Sequence, residues 1–361
     1  MRFQQLTVRS FRNLKDTTLE AGPEGAVLLG ANGEGKTSLL EAIYFPVLFR
    51  SLRGASDQEI VRFGEPGFHV ALRFEARDQS HHAAVTYRAA GRKKEHVLDG
   101  EPLRRLADGA GIWVAVAFLP EDVRLASGPA AGRRLFLDRT LALADRQYFT
   151  ALATYRHALG QRNAALRAGR LDLARAFDPP LARAGARVVA GRLAWVEQAQ
   201  AGFRDELLAL GEARAAADLG YAGPAELADP EAWPAVLDAA AARDQAKGAT
   251  TVGPHRDDMR LCLEGHGVRE FGSTGQQRSA AIALKLLELE TLQRAAGQAP
   301  ALLLDDVFAE LDQERQERLA TRLRRVGQAQ VFITSPRADE LGPGIELPVW
   351  RVRGGGVSIE D

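Results

Sequence analysis

The sequence predicts an α/β fold whose head is built from both ends of the chain, with an antiparallel β subdomain and an inserted helical lobe. Three observations carry that prediction. A short apolar strand, a glycine-rich loop and an apolar helix follow one another over residues 25–45. Alternating apolar and polar residues fill 67–105, with an Asp99-Gly100 hairpin signal inside the run. From about 121 to 247 the texture turns to long Ala/Leu/Arg stretches of helical period. Two β-rich ends around a helical middle are expected to fold together, giving a head of 1–120 plus 248–361 and a lobe of 121–247.

The elements follow in chain order. The first 30 residues read as two short strands, FQQLTVRSF and GAVLLG, and the helix TSLLEAIYF is ended by Pro46. HVALRFEAR and AAVTYRAA alternate as meander strands, and IWVAVAFLP (112–120) is a buried strand closed by Pro120. In the lobe, RRLFLDRTLALADRQYFTALATYRHALGQRNAAL is helical; Pro179-Pro180 then breaks the helices, and another long one runs to about 217. The pair forms a short antiparallel hairpin, far too short for an extended coiled-coil arm. Strand patterning returns at MRLCLEG (259–265), followed by STGQQRS (273–279) opening a helix, ALLLDDVFAELD, a helix and QVFITSP.

Composition excludes more than it assigns. The 361 residues are 46% hydrophobic, which supports a sizeable core and one to three domains. Lys and Arg number 47 against 47 Asp and Glu, so any nucleic-acid surface must come from local clustering. The lone Cys262 rules out an internal disulfide framework and a cysteine-rich zinc site. No run approaches the roughly 18 apolar residues of a membrane span, and MRFQQLTVRSFRNL lacks the apolar core of a signal peptide. A cytoplasmic protein with no membrane partner is expected.

Two motifs carry chemistry. Gly30-Ala31-Asn32-Gly33-Glu34-Gly35-Lys36-Thr37 fits G-x-x-x-x-G-K-[ST] between a strand and a helix. Its glycines let backbone N–H groups curl round a polyphosphate, Lys36 reaches the terminal phosphates, and the Thr37 hydroxyl takes Mg²⁺. The strand Ala301–Leu304 ends in Asp305-Asp306. Asp305 is expected to hold the Mg²⁺, and Asp306 to activate water; its short side chain, where many such ATPases carry Glu, points to slow turnover. As alternatives, the loop is a glycine-rich turn and the acid pair a helix cap. A third stretch, STGQQRS, has no lysine for a phosphate and no metal ligands. Ser273 at a helix start is a cap, a second anion site, or both.

Taken together, GANGEGKTS, STGQQRS and LLLDDVFAELD stand in the order of ABC-type ATPases, and STGQQ resembles their signature motif. Over nearly the whole chain the sequence resembles the RecF family of bacterial recombination mediators, relatives of SMC-like repair ATPases. LTVRSFRNL, FLPEDVRLASGPAAGRRLFLD, TVGPHRDD and FGSTGQQRS carry that resemblance; residues 140–250 match loosely. It implies an ATP-dependent clamp that binds gapped DNA at single-strand/double-strand junctions and assists RecA loading with RecO and RecR. By the same resemblance Gly30, Asn32, Gly33, Gly35, Lys36, Thr37 and Ser38 hold ATP. Ser273, Gly275 and Gln276 form the signature, with Thr274 where transporters usually have glycine, and Asp312 closes the D-loop. One phosphate loop and one signature per chain imply an ATP-induced homodimer of C2 symmetry whose Ser273 acts on the partner's nucleotide.

Several assignments stay open. Thr334 or Ser335 occupies the switch position, Glu121 is the nearest candidate for the Q-loop, and Arg12 reaches the nucleotide or is a surface strand residue. His255 in GPHRDD is a proton-transfer site or, more often for such patterns, part of a structural turn. Basic clusters for DNA are Arg50/Arg53, Arg92/Lys93/Lys94, Arg104/Arg105, Arg133/Arg134 and Arg322/Arg324/Arg325, each commonly a solvated face. A transporter ATPase subunit and a nucleotide-gated scaffold with incidental hydrolysis are the rival functions.

Overall fold

The computed structural model describes residues 1–212, 216–308, 311–324, 327, 329–338, 341 and 345–360. The chain forms two compact units, Met1–Glu121 with Glu288–Asp361, and Asp122–Leu287. Among the described residues the first unit holds twelve strands, of which β1 (Arg2–Arg9), β2 (Thr17–Glu20), β3 (Gly25–Leu29), β4 (Gly67–Ala76), β5 (Gln79–Arg88), β6 (Lys93–Leu98), β7 (Glu101–Pro102) and β8 (Ala115–Phe118) come from the N-terminal segment. The second unit adds β9 (Ala217–Ala222), β10 (Asp258–Leu263) and β11 (His266–Gly267). The C-terminal segment returns to the first unit with β12 (Ala301–Leu304), β13 (Val331–Ser335), β14 (Val349–Arg353) and β15 (Gly356–Glu360).

In the first unit, one sheet has the order β15-β14-β3-β13-β12-β8, parallel except at β15, and the other is the antiparallel β2-β1-β4-β5-β6-β7. Every residue of β3 and β12 is buried, which is why both read as unbroken apolar runs. The two sheets are joined by Gln330, which has no solvent exposure. Its Nε2 donates to Phe3 O (2.9 Å) and Gly22 O (2.7 Å), and its Oε1 accepts from Phe3 N (2.8 Å). Phe3 also stacks on Phe332 at 4.8 Å, while Phe11, Phe45 and Phe68 pack edge to face around the helix Lys36–Tyr44 and its 3₁₀ extension.

Three readings of the sequence are corrected in this unit. The first 30 residues hold three strands, because TTLE pairs antiparallel with β1 as β2. The strand at 112–120 narrows to β8. The C-terminal hairpin β14–β15, which the sequence reading passes over, extends the parallel sheet through β14 against β3.

The second unit packs the helices Ala130–Ala144, Arg146–Arg167, Asp178–Ala209 and Trp233–Lys247 with the sheet β11-β10-β9. Pro179 and Pro180 lie in the first turn of Asp178–Ala209, where a missing N–H costs nothing, so they begin a helix and do not break one. That helix ends at Ala209, short of the expected end near 217, and β9 begins at Ala217. Residues 248–287, placed with the head by the sequence reading, belong to this unit: β10 pairs with β9 from Asp258↔Ala222 to Leu263↔Ala217. Arg133, 3% exposed, adds a bidentate bond to Asp258 at 2.8 Å for each oxygen. Among the described residues, no helix is long and apolar enough to cross a membrane.

Candidate active site

The phosphate loop leaves β3 at Leu29 and enters the helix at Lys36. Gly30 is fixed by crowding: a Cβ there would lie 2.2 Å from Val352 O on β14. Gly33 and Gly35 take φ of +83° and +114°, values that disfavour L side chains. Gly35 caps the helix without a side-chain hydrogen bond, and no acidic residue stands in the first turn. The amide dipoles there are therefore not satisfied by a capping side chain, which suits an anion. Lys36, 5% exposed, folds its Nζ onto Gly30 O (2.6 Å) and Ala31 O (3.2 Å), arching over the loop.

Residues the sequence reading missed hold the loop in place. Asn13 Nδ2 donates to Gly33 O at 3.0 Å, and its Oδ1 accepts from Ser38 Oγ at 2.8 Å. Gly355 N in the β14–β15 turn donates to Glu34 O at 2.9 Å, and Gly354 N donates to the Glu34 carboxylate. The only local sign of this brace is Gly354-Gly355-Gly356; the partner it serves lies over 300 residues away. Arg12 commits Nε and one terminal nitrogen to the fully buried Glu41 at 2.8 and 3.1 Å, and the other to Glu59 O at 3.2 Å. Burial pushes the Glu41 carboxyl up, but the bonds from Arg12 and Ser51 outweigh it and hold it below the usual range. Here Arg12 braces the helix Lys36–Tyr44.

The structure brings the acidic strand end to the loop. Thr37 Oγ1 lies 3.0 Å from both Asp305 oxygens. Thr334 Oγ1 at the end of β13 donates to Asp305 Oδ1 at 2.9 Å and accepts from Asp306 N at 2.9 Å. Asp306 has φ +47°, an uncommon left-handed position for a non-glycine residue. Burial raises the pKa of Asp305; the two threonine hydroxyls oppose this, while the nearby Asp306 and Glu121 carboxylates add to it. A buried carboxyl with hydroxyls as its bonded partners and acids around it lacks positive charge, so the residues fit a divalent cation. Of the two switch candidates, Thr334 meets the acid pair, whereas Ser335 Oγ donates to Arg337 O at 2.6 Å.

Ser273 and Gln276 make a reciprocal capping box at the head of the helix Thr274–Ala296. Gln276 N donates to Ser273 Oγ at 3.2 Å, and Ser273 N donates to Gln276 Oε1 at 2.9 Å. Ser273 is exposed, and its hydroxyl hydrogen is not used by this cap. Gln277, the unassigned second glutamine, donates to the carbonyls of Val268, Arg269 and Gly272 at 3.2–3.4 Å and holds the preceding turn. Asp312 caps Gln313–Arg324 by accepting from Arg315 N at 2.9 Å. Residues 309–310 of the intervening loop and Arg325 of the last basic cluster lie outside the described residues.

GPHRDD is structural in its contacts. His255 Nδ1 meets Tyr155 OH at 2.6 Å and Nε2 meets Thr250 O at 2.9 Å. A carbonyl requires Nε2 to carry the proton, so Tyr155 donates to Nδ1. Burial lowers the His255 pKa, the bond to the Thr250 carbonyl opposes this, and Arg256 and Arg134 add to the lowering. Some predicted basic clusters are spent internally. Lys94 bonds Asp57 (2.6 Å) and Phe49 O (2.7 Å), Arg53 bonds Glu41 (3.4 Å), and Arg133 bonds Asp258.

Residues 2–344 match the family model for the RecF/RecN/SMC N terminal domain. A DNA replication and repair protein RecF from Anaeromyxobacter dehalogenans (strain 2CP-C) is 40% identical, with 99% of each chain covered. The protein of that name from Streptococcus pneumoniae (strain P1031) is 33% identical, again with 99% of each covered. A solved structure of the recombination mediator protein RecF-ATP in the RecFOR pathway superposes with a TM-score of 0.91 at 30% identity, covering 99% of this chain and 97% of that one. The Smc head domain from Pyrococcus furiosus shares the fold at a TM-score of 0.56 and 14% identity, covering 99% and 95%. The architecture is thus an ABC-type ATPase head with an inserted lobe. With the family model, the full-length relatives and the RecF superposition in agreement, the chain belongs to the RecF family of DNA replication and repair proteins.

Proposed function

We propose that the chain is an ATP-dependent DNA-binding clamp in recombinational repair, acting at single-strand/double-strand junctions of gapped DNA and assisting RecA loading with RecO and RecR. The observation that carries this reading is the assembled nucleotide half-site: an uncapped glycine cradle, Lys36 above it, and Thr37 in contact with buried Asp305. The RecF-ATP relative supports ATP as the ligand. Gly30 to Ser38 would receive its phosphates, with Lys36 exchanging its two carbonyls for phosphate oxygens. Thr37 and Asp305 would hold Mg²⁺, which when bound supplies charge neutralisation at the phosphates.

The remaining residues divide the work. Asp306, oriented through its own backbone by Thr334, would take the proton of the attacking water. Ser273 would donate its spare hydroxyl, with the helix start behind it, to the γ-phosphate held by a second copy of the chain. Gly275 and Gln276 shape that start, and Asp312 would line the same junction. Because each chain has one loop and one signature, a C2 pair completes two sites, and ATP acts as the glue. Weak, DNA-stimulated hydrolysis would remove the γ-phosphate contacts and release the clamp. The test is fluorescence anisotropy of gapped duplex DNA with and without ATP, alongside Lys36→Met. ATP should tighten binding and enlarge the particle in the unaltered protein only. ATP-independent binding of equal strength in both would remove the clamp reading.

A further inference from the structure

We infer that the second unit carries the DNA-backbone contact, through two arginine-lined depressions on the helix Arg146–Arg167. This inference rests on the DNA reading above. The first depression, about 260 Å³, is lined by Arg134, Arg156 and Arg192 with Asp138, Tyr155 and His255, and by aliphatic side chains. The second, about 530 Å³, is lined by Arg146 and Arg183 with Gln147, Thr150 and Thr154 and no acid.

The charges in the first depression do not cancel. Asp138, 6% exposed, is saturated: it accepts from Tyr148 OH (2.7 Å), Arg156 (2.9 Å) and Arg192 (2.8 Å). Arg192 is equally committed, donating also to Pro254 O at 2.6 Å, and both His255 nitrogens are bonded. That leaves Arg134, with one bond to Asp257 O at 2.8 Å, and Arg156, half exposed with one bond to Asp138. Each keeps guanidinium donors for an incoming group. Arg forks match phosphate oxygens in pairs, and the leucine walls lower the local dielectric around such a contact. In the second depression Arg183 is exposed, while the Thr150 and Thr154 hydroxyls donate to Arg146 O and Thr150 O within their helix, so the contact there falls to the guanidinium.

GPHRDD gains a role in this arrangement. His255 and Pro254 bond Tyr155 and Arg192, which line the same depression as Arg134 and Arg156. The ligand is a phosphodiester group; inorganic phosphate shares the chemistry, so the experiment separates the two.

Gapped-duplex affinity would be measured by anisotropy with ATP across a series of NaCl concentrations for the unaltered protein, Arg134→Gln/Arg156→Gln, Arg134→Lys/Arg156→Lys and Arg183→Glu. Neutralising two phosphate contacts should flatten the log K against log salt slope by about 1–2 and weaken binding at least about tenfold, with the Lys pair recovering much of the slope. Arg183→Glu, at an exposed side chain, should weaken binding with no loss of Tm. Unchanged slope and affinity in both the Gln pair and Arg183→Glu overturn the inference, as does loss in the Gln pair that the Lys pair leaves uncorrected. A Tm gain from inorganic phosphate that the Gln pair abolishes, with DNA binding intact, assigns the first depression to free phosphate and equally overturns it. If the unaltered protein binds no DNA, the functional reading itself has failed.

Discussion

Thr334→Val tests how the acid pair is held. Thr334 is 2% exposed and valine has nearly its shape, so no cavity opens and the change isolates one hydroxyl. That hydroxyl donates to Asp305 Oδ1 and accepts from Asp306 N, both at 2.9 Å. Its loss removes a hydrogen bond to a buried carboxyl, worth about 1.5–3 kcal/mol if ionised, and orphans an amide, at about 1–3 kcal/mol. One hydroxyl serves both, so the sum is an upper bound, and proton uptake by Asp305 offsets part of it. About 2–4 kcal/mol is expected, a drop in the melting temperature on the order of 10 °C for a unit of this size. Thr334→Ser, which keeps the hydroxyl, should lose far less. In single-turnover assays Thr334→Val should still bind ATP, because the glycine loop is untouched, but hydrolyse it at least about tenfold more slowly as Asp306 loses its anchor. Thermal melts with the two variants side by side decide the matter. A change under about 0.5 kcal/mol, or equal losses for Ser and Val, would refute the role given to this hydroxyl.

Other expectations follow from the same geometry. Asp306→Asn should keep ATP-induced dimers but stall on DNA, read as a slowed off-rate; normal cycling would make hydrolysis incidental and favour the scaffold reading. Asp305 has a raised pKa, so its contribution to stability is fully present below the unfolded carboxylate value near about 3.9 and is lost as pH rises through the folded value. Asp305→Asn should therefore melt no lower than the parent at neutral pH without nucleotide, while losing the Tm gain from MgATP; a clearly lower neutral-pH Tm would contradict this. Gly355→Ala places a Cβ 1.9 Å from Asn13 O at φ +74°. It should cost roughly 2–4 kcal/mol and weaken ATP binding through the Glu34 and Asn13 braces; calorimetric ATP affinity equal to the parent would show that the hairpin does not support the loop.

What was legible in the sequence was local. The phosphate loop announces itself because glycine spacing, strand and helix sit within some twenty residues, and β12 because burial on both faces leaves an unbroken apolar run. What escaped depends on distant partners. Gly355 looks like any turn glycine until Asn13 is seen against it, and Asn13 like any polar loop residue. Pro179-Pro180 carries the same local signal whether it ends one helix or starts the next, and here the first turn of Asp178–Ala209 absorbs it. The unit boundary was misplaced because MRLCLEG states that it is a strand but not which strand it joins; pairing with β9 decides that. Likewise Arg133 and Lys94 read as surface charge by composition, and only the fold reveals Asp258 and Asp57 waiting for them.

Ser273 is proposed to complete a nucleotide site on another copy of the chain. Light scattering of Ser273→Arg with MgATP, on protein shown by calorimetry to bind ATP as the parent does, tests it most directly. A monomer is expected for Ser273→Arg and a dimer for the parent; an ATP-dependent dimer of the Ser273→Arg protein would contradict the proposed role.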